Sequence, residues 1–141
     1  MYTLISEASF DSAHFLAGYN GKCRNIHGHR WTLKIEIYSD NLQQSGSCRG
    51  MILDFGDLKS ELKNITDYYD HALIIEKNSL RETTFHALKE EGFRIIEIDF
   101  RPTAENFAKY FYDYFIEKGF FVKNSYVYET PNNCANYSEM R

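Results

Sequence analysis

The sequence predicts an α+β domain built on an antiparallel sheet with helices on one face. Three observations lead there. Trp31, Leu33, Ile35 and Ile37 alternate with Thr32, Lys34, Glu36 and Tyr38, the period-two pattern of a half-buried strand. Leu58, Leu62, Ile65 and Tyr69, and later Ala104, Phe107, Ala108, Phe111 and Phe115, recur at helical spacing. The segments run strand, strand, helix, helix, strand, without the strict alternation that builds a parallel sheet.

The elements follow in chain order. Residues 4–15 alternate loosely, with Leu4, Ala8, Phe10 and His14 on one face of a strand. AGYNGKCRN, residues 17–25, is a loop rich in Gly and Asn. The strand centred on Trp31–Ile37 comes next, then the turn SDNLQQSGSCRG and a short strand at MILDF. Asp57 is placed to cap the first helix. Residues 76–92 are polar and show no clear period, and 93–100 read as extended. Thr103 is the expected N-cap of the second helix, after Pro102. A strand over 121–130 and a polar tail close the chain.

The 141 residues fit one domain, 1–141. At 43% hydrophobic and 26% charged, the chain can bury a core rather than stay disordered. A formal net charge of −4 removes the bulk positive field expected of a nucleic-acid binder. No apolar run is long enough to cross a bilayer, and MYTLISEASF lacks the features of a signal peptide, so a cytoplasmic location is expected. Three cysteines, Cys23, Cys48 and Cys134, do not make a disulfide framework.

Chemistry concentrates in CRNIHGHRW, residues 23–31. On a strand, His27 and His29 point to the same face, the side of Trp31 and Leu33. His14 ends the apolar face of the preceding strand, so a hairpin would bring the three imidazoles together. Three neutral imidazoles with one open position make a catalytic zinc site. Gly28 would keep the space between them clear. Each His alone is equally a packed histidine; the joint pattern is what points to a metal.

Cys23 is flanked by Lys22 and Arg24, and cationic neighbours favour a reactive thiolate. A loop thiol or a fourth metal ligand are the alternatives. In Asp70-His71, the carboxylate can fix the imidazole tautomer, although such a pair also suits a solvated helix end. The helix dipole alone explains Glu105 in a first helical turn. Glu129, near the end of the last strand, could accept two parallel N–H bonds from a guanidine-like ring edge.

FDSAH (10–14), CRNIHGH (23–29), GMILDFGDLK (50–59), YDHAL (69–73), PTAEN (102–106) and YET (128–130) together resemble the 6-pyruvoyl-tetrahydropterin synthase and 6-carboxytetrahydropterin synthase family. The resemblance spans nearly the whole chain. It implies a tunnelling fold: a four-stranded antiparallel sheet, two helices on one side, and subunits joined into barrels as a homo-hexamer of two trimers. It implies zinc on His14, His27 and His29. It implies Cys23 as an acid/base thiol, with Asp70 and His71 as its catalytic partners across a subunit interface. Glu129 would anchor the pterin's amino-pyrimidine edge, with Glu105 and Thr103 lining the pocket.

The short Cys-x-x-x-His-Gly-His spacing is similar to the carboxy enzyme of queuosine biosynthesis, which converts 7,8-dihydroneopterin triphosphate to 6-carboxy-5,6,7,8-tetrahydropterin, acetaldehyde and triphosphate. The chain departs from compact members in a longer 74–100 segment and in YDHAL where they carry LDHxxLN. Three other functions stay open on the sequence alone. They are the pyruvoyl synthase, a non-catalytic zinc-binding relative, and a metal-free aldolase of the same fold.

Overall fold

Two long strands pair first in sequence and organise everything else. In the computed structural model, which describes residues 1–140, β1 (Tyr2–His14) and β2 (His27–Ser39) run antiparallel along their full lengths. Their register sets Phe10 opposite Trp31, Ser12 opposite His29 and His14 opposite His27. Residues directly opposite share a face of the sheet. Phe10, Ser12 and His14 therefore point with Trp31, Leu33, Ile35 and Ile37 into the core, all of them buried.

The remaining elements are α1 (Phe55–Tyr69), β3 (Ala72–Glu76), α2 (Glu82–Glu90), β4 (Ile95–Ile98), α3 (Ala104–Glu117), β5 (Val122–Thr130) and β6 (Asn133–Tyr137). The sheet order is β4-β3-β1-β2-β5-β6. β2–β5 and β5–β6 are antiparallel, whereas β1–β3 and β3–β4 are parallel. The architecture is thus α+β with a six-stranded mixed sheet and three helices, not the expected four-stranded antiparallel sheet with two.

The difference has a physical reason. ALIIE of β3, buried or half-buried at every position, is a short apolar run without a period-two signal, and IIEI of β4, with Glu97 exposed between Ile96 and Ile98, is only four residues long, too short for its alternation to stand out. Parallel neighbours need a crossover, which α2 supplies. Because α2 has no buried residue, it shows no apolar stripe to read. β6 escaped notice as a polar edge strand with no buried residue.

The helices meet expectation more closely. Leu58, Leu62, Ile65 and Tyr69 of α1 are buried, as are Ala104, Phe107, Ala108, Phe111 and Phe115 of α3. Phe107 and Phe111 carry an aromatic cluster onto Trp31, Phe10 and Tyr69. Thr103 caps α3, its Oγ1 accepting the Asn106 N–H at 3.1 Å. Two local expectations fail. MILDF forms bends rather than a strand, and α1 is capped by Asp54, whose side chain accepts the Gly56 N–H at 2.7 Å, and not by Asp57, which lies in the first turn. No helix among the described residues is long and apolar enough to cross a membrane.

Candidate metal centre and the Asp70–His71 corner

The register of β1 and β2 delivers His14, His27 and His29 to one end of the core. A fourth donor arrives from β5. Val127 pairs with Leu33 and is buried; Glu129, two residues on, has the same facing. One donor atom each of His14, His27, His29 and Glu129 lies within 4.8 Å of all the others. The expected three-histidine convergence is present, with Glu129 added to it.

The hydrogen bonds around the cluster fix its chemistry. His14 Nδ1 donates to the Pro102 carbonyl at 2.7 Å, and His27 Nδ1 donates to the Asn25 carbonyl at 2.7 Å. A carbonyl only accepts, so both rings carry their proton on Nδ1. Their Nε2 atoms then face each other 3.1 Å apart as two lone pairs with no proton between them. Burial, outweighing the Pro102 bond, pushes the His14 pKa down to about 4, so the His14 ring is neutral near neutral pH. Burial also lowers His29, against the opposing pull of the Glu129 carboxylate.

His29 Nε2 is buried and lacks a hydrogen-bond partner, although Glu129 Oε1 stands 3.1 Å away. That contact is close enough for ionic attraction but outside hydrogen-bond geometry. Both atoms belong to the set of four donors that lie within 4.8 Å of one another. Ligands ~2.1 Å from a tetrahedral ion sit about 3.4 Å from one another, close to the 3.1 Å separations in both pairs. Three imidazoles and a carboxylate, two rings oriented by backbone carbonyls, fit a divalent transition-metal ion.

Gly28 plays no part in clearing this space. It lies between His27 and His29 on the opposite face, and a Cβ there would meet only the Ser12 carbonyl at an ordinary 3.8 Å. Cys23 does not join the donor cluster. It is half-buried in a 3-10 turn, Lys22–Arg24, whose Cys23 carbonyl accepts the Leu16 N–H at 2.9 Å and so folds the loop back onto the end of β1. Glu105 shares with Glu129 a cavity of about 560 Å³, bordered by Asn133, Cys134 and Asn136 of β6. The Thr103 hydroxyl is engaged in its cap.

Asp70 and His71 sit elsewhere. His71 Nδ1 donates to Asp70 Oδ2 at 2.7 Å, leaving Nε2 free. Asp70 Oδ1 accepts the Asp11 N–H at 2.8 Å, and the His71 N–H donates to the Asp11 carbonyl at 2.6 Å. The Asp11 amide and then His71 hold the Asp70 carboxyl below its ordinary range. His71 has φ +55°, a left-handed conformation that costs a non-glycine residue of order 1 kcal/mol. It opens into a cavity of about 710 Å³ whose border includes Asp11, Ala13, Gly28 and Arg30, together with Ser12 and His29 of the core-facing set. Asp11, Ala13, Gly28 and Arg30 alternate with the core-facing set, so the dyad opens toward the outer face of the sheet, with His29 of the cluster also at the cavity border.

A family model described as 6-pyruvoyl tetrahydropterin synthase matches residues 3–140. The chain belongs to this family. A 6-carboxy-5,6,7,8-tetrahydropterin synthase of Haemophilus influenzae is 36% identical over 142 residues, covering 99% of this chain and 100% of that one. One from Rickettsia felis is 35% identical, covering 87% of this chain and 90% of its own. Among solved structures, an uncharacterized protein from Wolinella succinogenes superposes with a TM-score of 0.82 at 19% identity, covering 99% and 98% of the two chains. That likeness shows a shared fold.

Within the 6-pyruvoyl tetrahydropterin synthase fold, two features of this site are absent from the sequence reading. Glu129 as a neighbour of the metal donors could have been found from its parity with Val127 on β5. The clamp on Asp70–His71, which comes from Asp11, Ser12 and Arg94, has no local sequence signal.

Proposed function

We propose that the chain is a zinc-dependent 6-carboxy-5,6,7,8-tetrahydropterin synthase. It acts as a lyase on 7,8-dihydroneopterin triphosphate, releases acetaldehyde and triphosphate, and serves queuosine biosynthesis in the cytoplasm. The observation that carries this is the four-donor cluster of His14, His27, His29 and Glu129 in a chain aligned end to end with a synthase of that name.

A catalytic ion keeps one position open. We therefore assign zinc to His14, His27 and His29, and Glu129 to the pterin ring. Glu129 belongs both to the cluster and to the lining of the cavity it shares with Glu105, which supports this double placement. Zinc bound by the three imidazoles supplies Lewis acidity toward oxygens of the substrate side chain. The Glu129 carboxylate accepts two N–H bonds from the amino-pyrimidine edge and so orients the ring. Glu105 lines the same pocket, and Thr103 caps the helix that carries it.

Cys23 and His71 exchange protons with the substrate side chain, and Asp70 holds His71 with Nε2 available. In one chain neither Asp70 nor His71 is among the donors of the cluster. We therefore place the dyad at the site of a neighbouring copy, in a homo-hexamer of two trimers. The exposed rim of the 710 Å³ cavity, with Ile26 and Phe93 each 59% exposed, supports an interface there.

Mass spectrometry of products from 7,8-dihydroneopterin triphosphate, with and without a chelator, tests the assignment. The expected result is 6-carboxytetrahydropterin with acetaldehyde, lost on chelation. A pyruvoyl product would move the chain to the other branch of its family. Absence of product from metal-loaded protein would overturn the substrate.

A further inference from the structure

Arg94 lies just before β4, in the 74–100 segment, 24 residues beyond Asp70, yet it grips the end of α1. One guanidinium nitrogen donates to the Asp70 carbonyl at 2.8 Å and the other to the Tyr68 carbonyl. The guanidinium carbon sits 5.6 Å from the centre of the Tyr68 ring, and the Arg94 carbonyl accepts the Leu73 N–H at 2.9 Å. Ser12 Oγ donates to the remaining carbonyl between them, that of Tyr69.

The last carbonyls of a helix have no partner within it, and a cation is favoured beside them. Here they are satisfied by a side chain whose fork spans the residues on both sides of Tyr69. The turn being fixed is the one that throws His71 into its left-handed conformation and so sets the Nδ1–H to Asp70 bond. Left alone, a non-glycine residue leaves that conformation readily. Arg94 also borders the cavity into which His71 opens, but its donors are spent on backbone, not on the cavity.

We propose that Arg94 is a positioning residue for the reaction: by clamping the carbonyls of Tyr68 and Asp70 it holds the His71 ring in the orientation and Nδ1–H tautomer needed for proton transfer. The inference rests on the assignment of Asp70–His71 to proton transfer. It gives the long 74–100 segment a role at the active corner.

The test is a double-mutant cycle with kinetics and a ring-nitrogen readout on the full-length protein. Arg94→Met should lower kcat by about ten- to a hundredfold, the scale of a misplaced catalytic group, with KM and bound metal unchanged. Arg94→Lys, which can still reach one carbonyl, should recover part of that loss. Adding Arg94→Met to His71→Asn should lower kcat no further than His71→Asn alone. Nitrogen NMR of the neutral His71 ring should show the proton on Nδ1 in the parent and a shift toward Nε2 in Arg94→Met. Unchanged kcat and tautomer in Arg94→Met, or losses that multiply in the double variant, would overturn the inference while leaving the dyad in place. Full turnover by His71→Asn would instead remove the dyad assignment beneath it.

Discussion

At the β1–β2 end, three imidazoles meet because strand register leaves them nowhere else to go; at the end of α1, one imidazole is held by side chains from β1 and from the lead into β4. The first corner is partly buried, and burial lowers the pKa of His14 and His29. The second is wet, with the His71 side chain 78% exposed, and it depends on a left-handed step. A metal centre tolerates little positional error, and a hydrogen-bonded ladder of 13 paired residues provides that rigidity. The proton-transfer role proposed for His71 requires it to reach solvent and substrate, and an exposed turn gives it access. The two corners illustrate two ways to fix a side chain: by periodicity, or by long-range clamps.

Substitutions can break that contrast, and the largest effect belongs to the metal corner. His29→Ala should abolish both bound metal and turnover, measured by elemental analysis and product formation on the same sample. Turnover retained without metal would reduce the cluster to packing. Glu129→Gln sharpens the division of labour within it. If Glu129 holds the pterin, metal content stays near parent level and KM rises roughly ten- to hundredfold, the value of a hydrogen bond to a charged group. Metal lost in proportion to activity would make Glu129 a ligand.

Ser12 links the corners, because it lies between Phe10 and His14 on the core face of β1 and donates to the Tyr69 carbonyl. Ser12→Ala leaves that buried carbonyl unpaired and should destabilise the fold by roughly 1–3 kcal/mol in denaturant melts. A change near zero would mean that the end of α1 does not lean on β1.

The last effect is a pH dependence. The folded-state pKa of His14 is about 4, below the ordinary 6.5. Between those values the unfolded chain binds a proton that the folded chain refuses. For metal-stripped protein, stability is therefore full above pH 6.5 and falls as the pH drops toward about 4. His14→Gln should flatten that part of the profile. An equally steep profile in His14→Gln would assign the slope to other groups.

How much of this was legible in the sequence follows the same divide. The spacing of His27 and His29, and the place of His14 at the end of an apolar face, announce the metal corner because a strand converts parity into direction. The helices carrying Leu58–Tyr69 and Ala104–Phe115 announce themselves by period for the same reason. β3 and β4 do not, since β3 is covered on both faces and loses alternation, β4 is only four residues long, and α2 buries nothing. Asp70-His71 is visible as a dipeptide, but its clamp joins Asp11, Ser12 and Arg94 over separations of 24 to 59 residues, which no local pattern encodes.

The most direct test of the account is turnover of 7,8-dihydroneopterin triphosphate measured against bound metal per chain, as a chelator removes the ion in steps and zinc restores it. A rate proportional to occupancy, zero in the stripped protein and recovered on reloading, is the predicted result. A rate that stays constant as the metal leaves would contradict it.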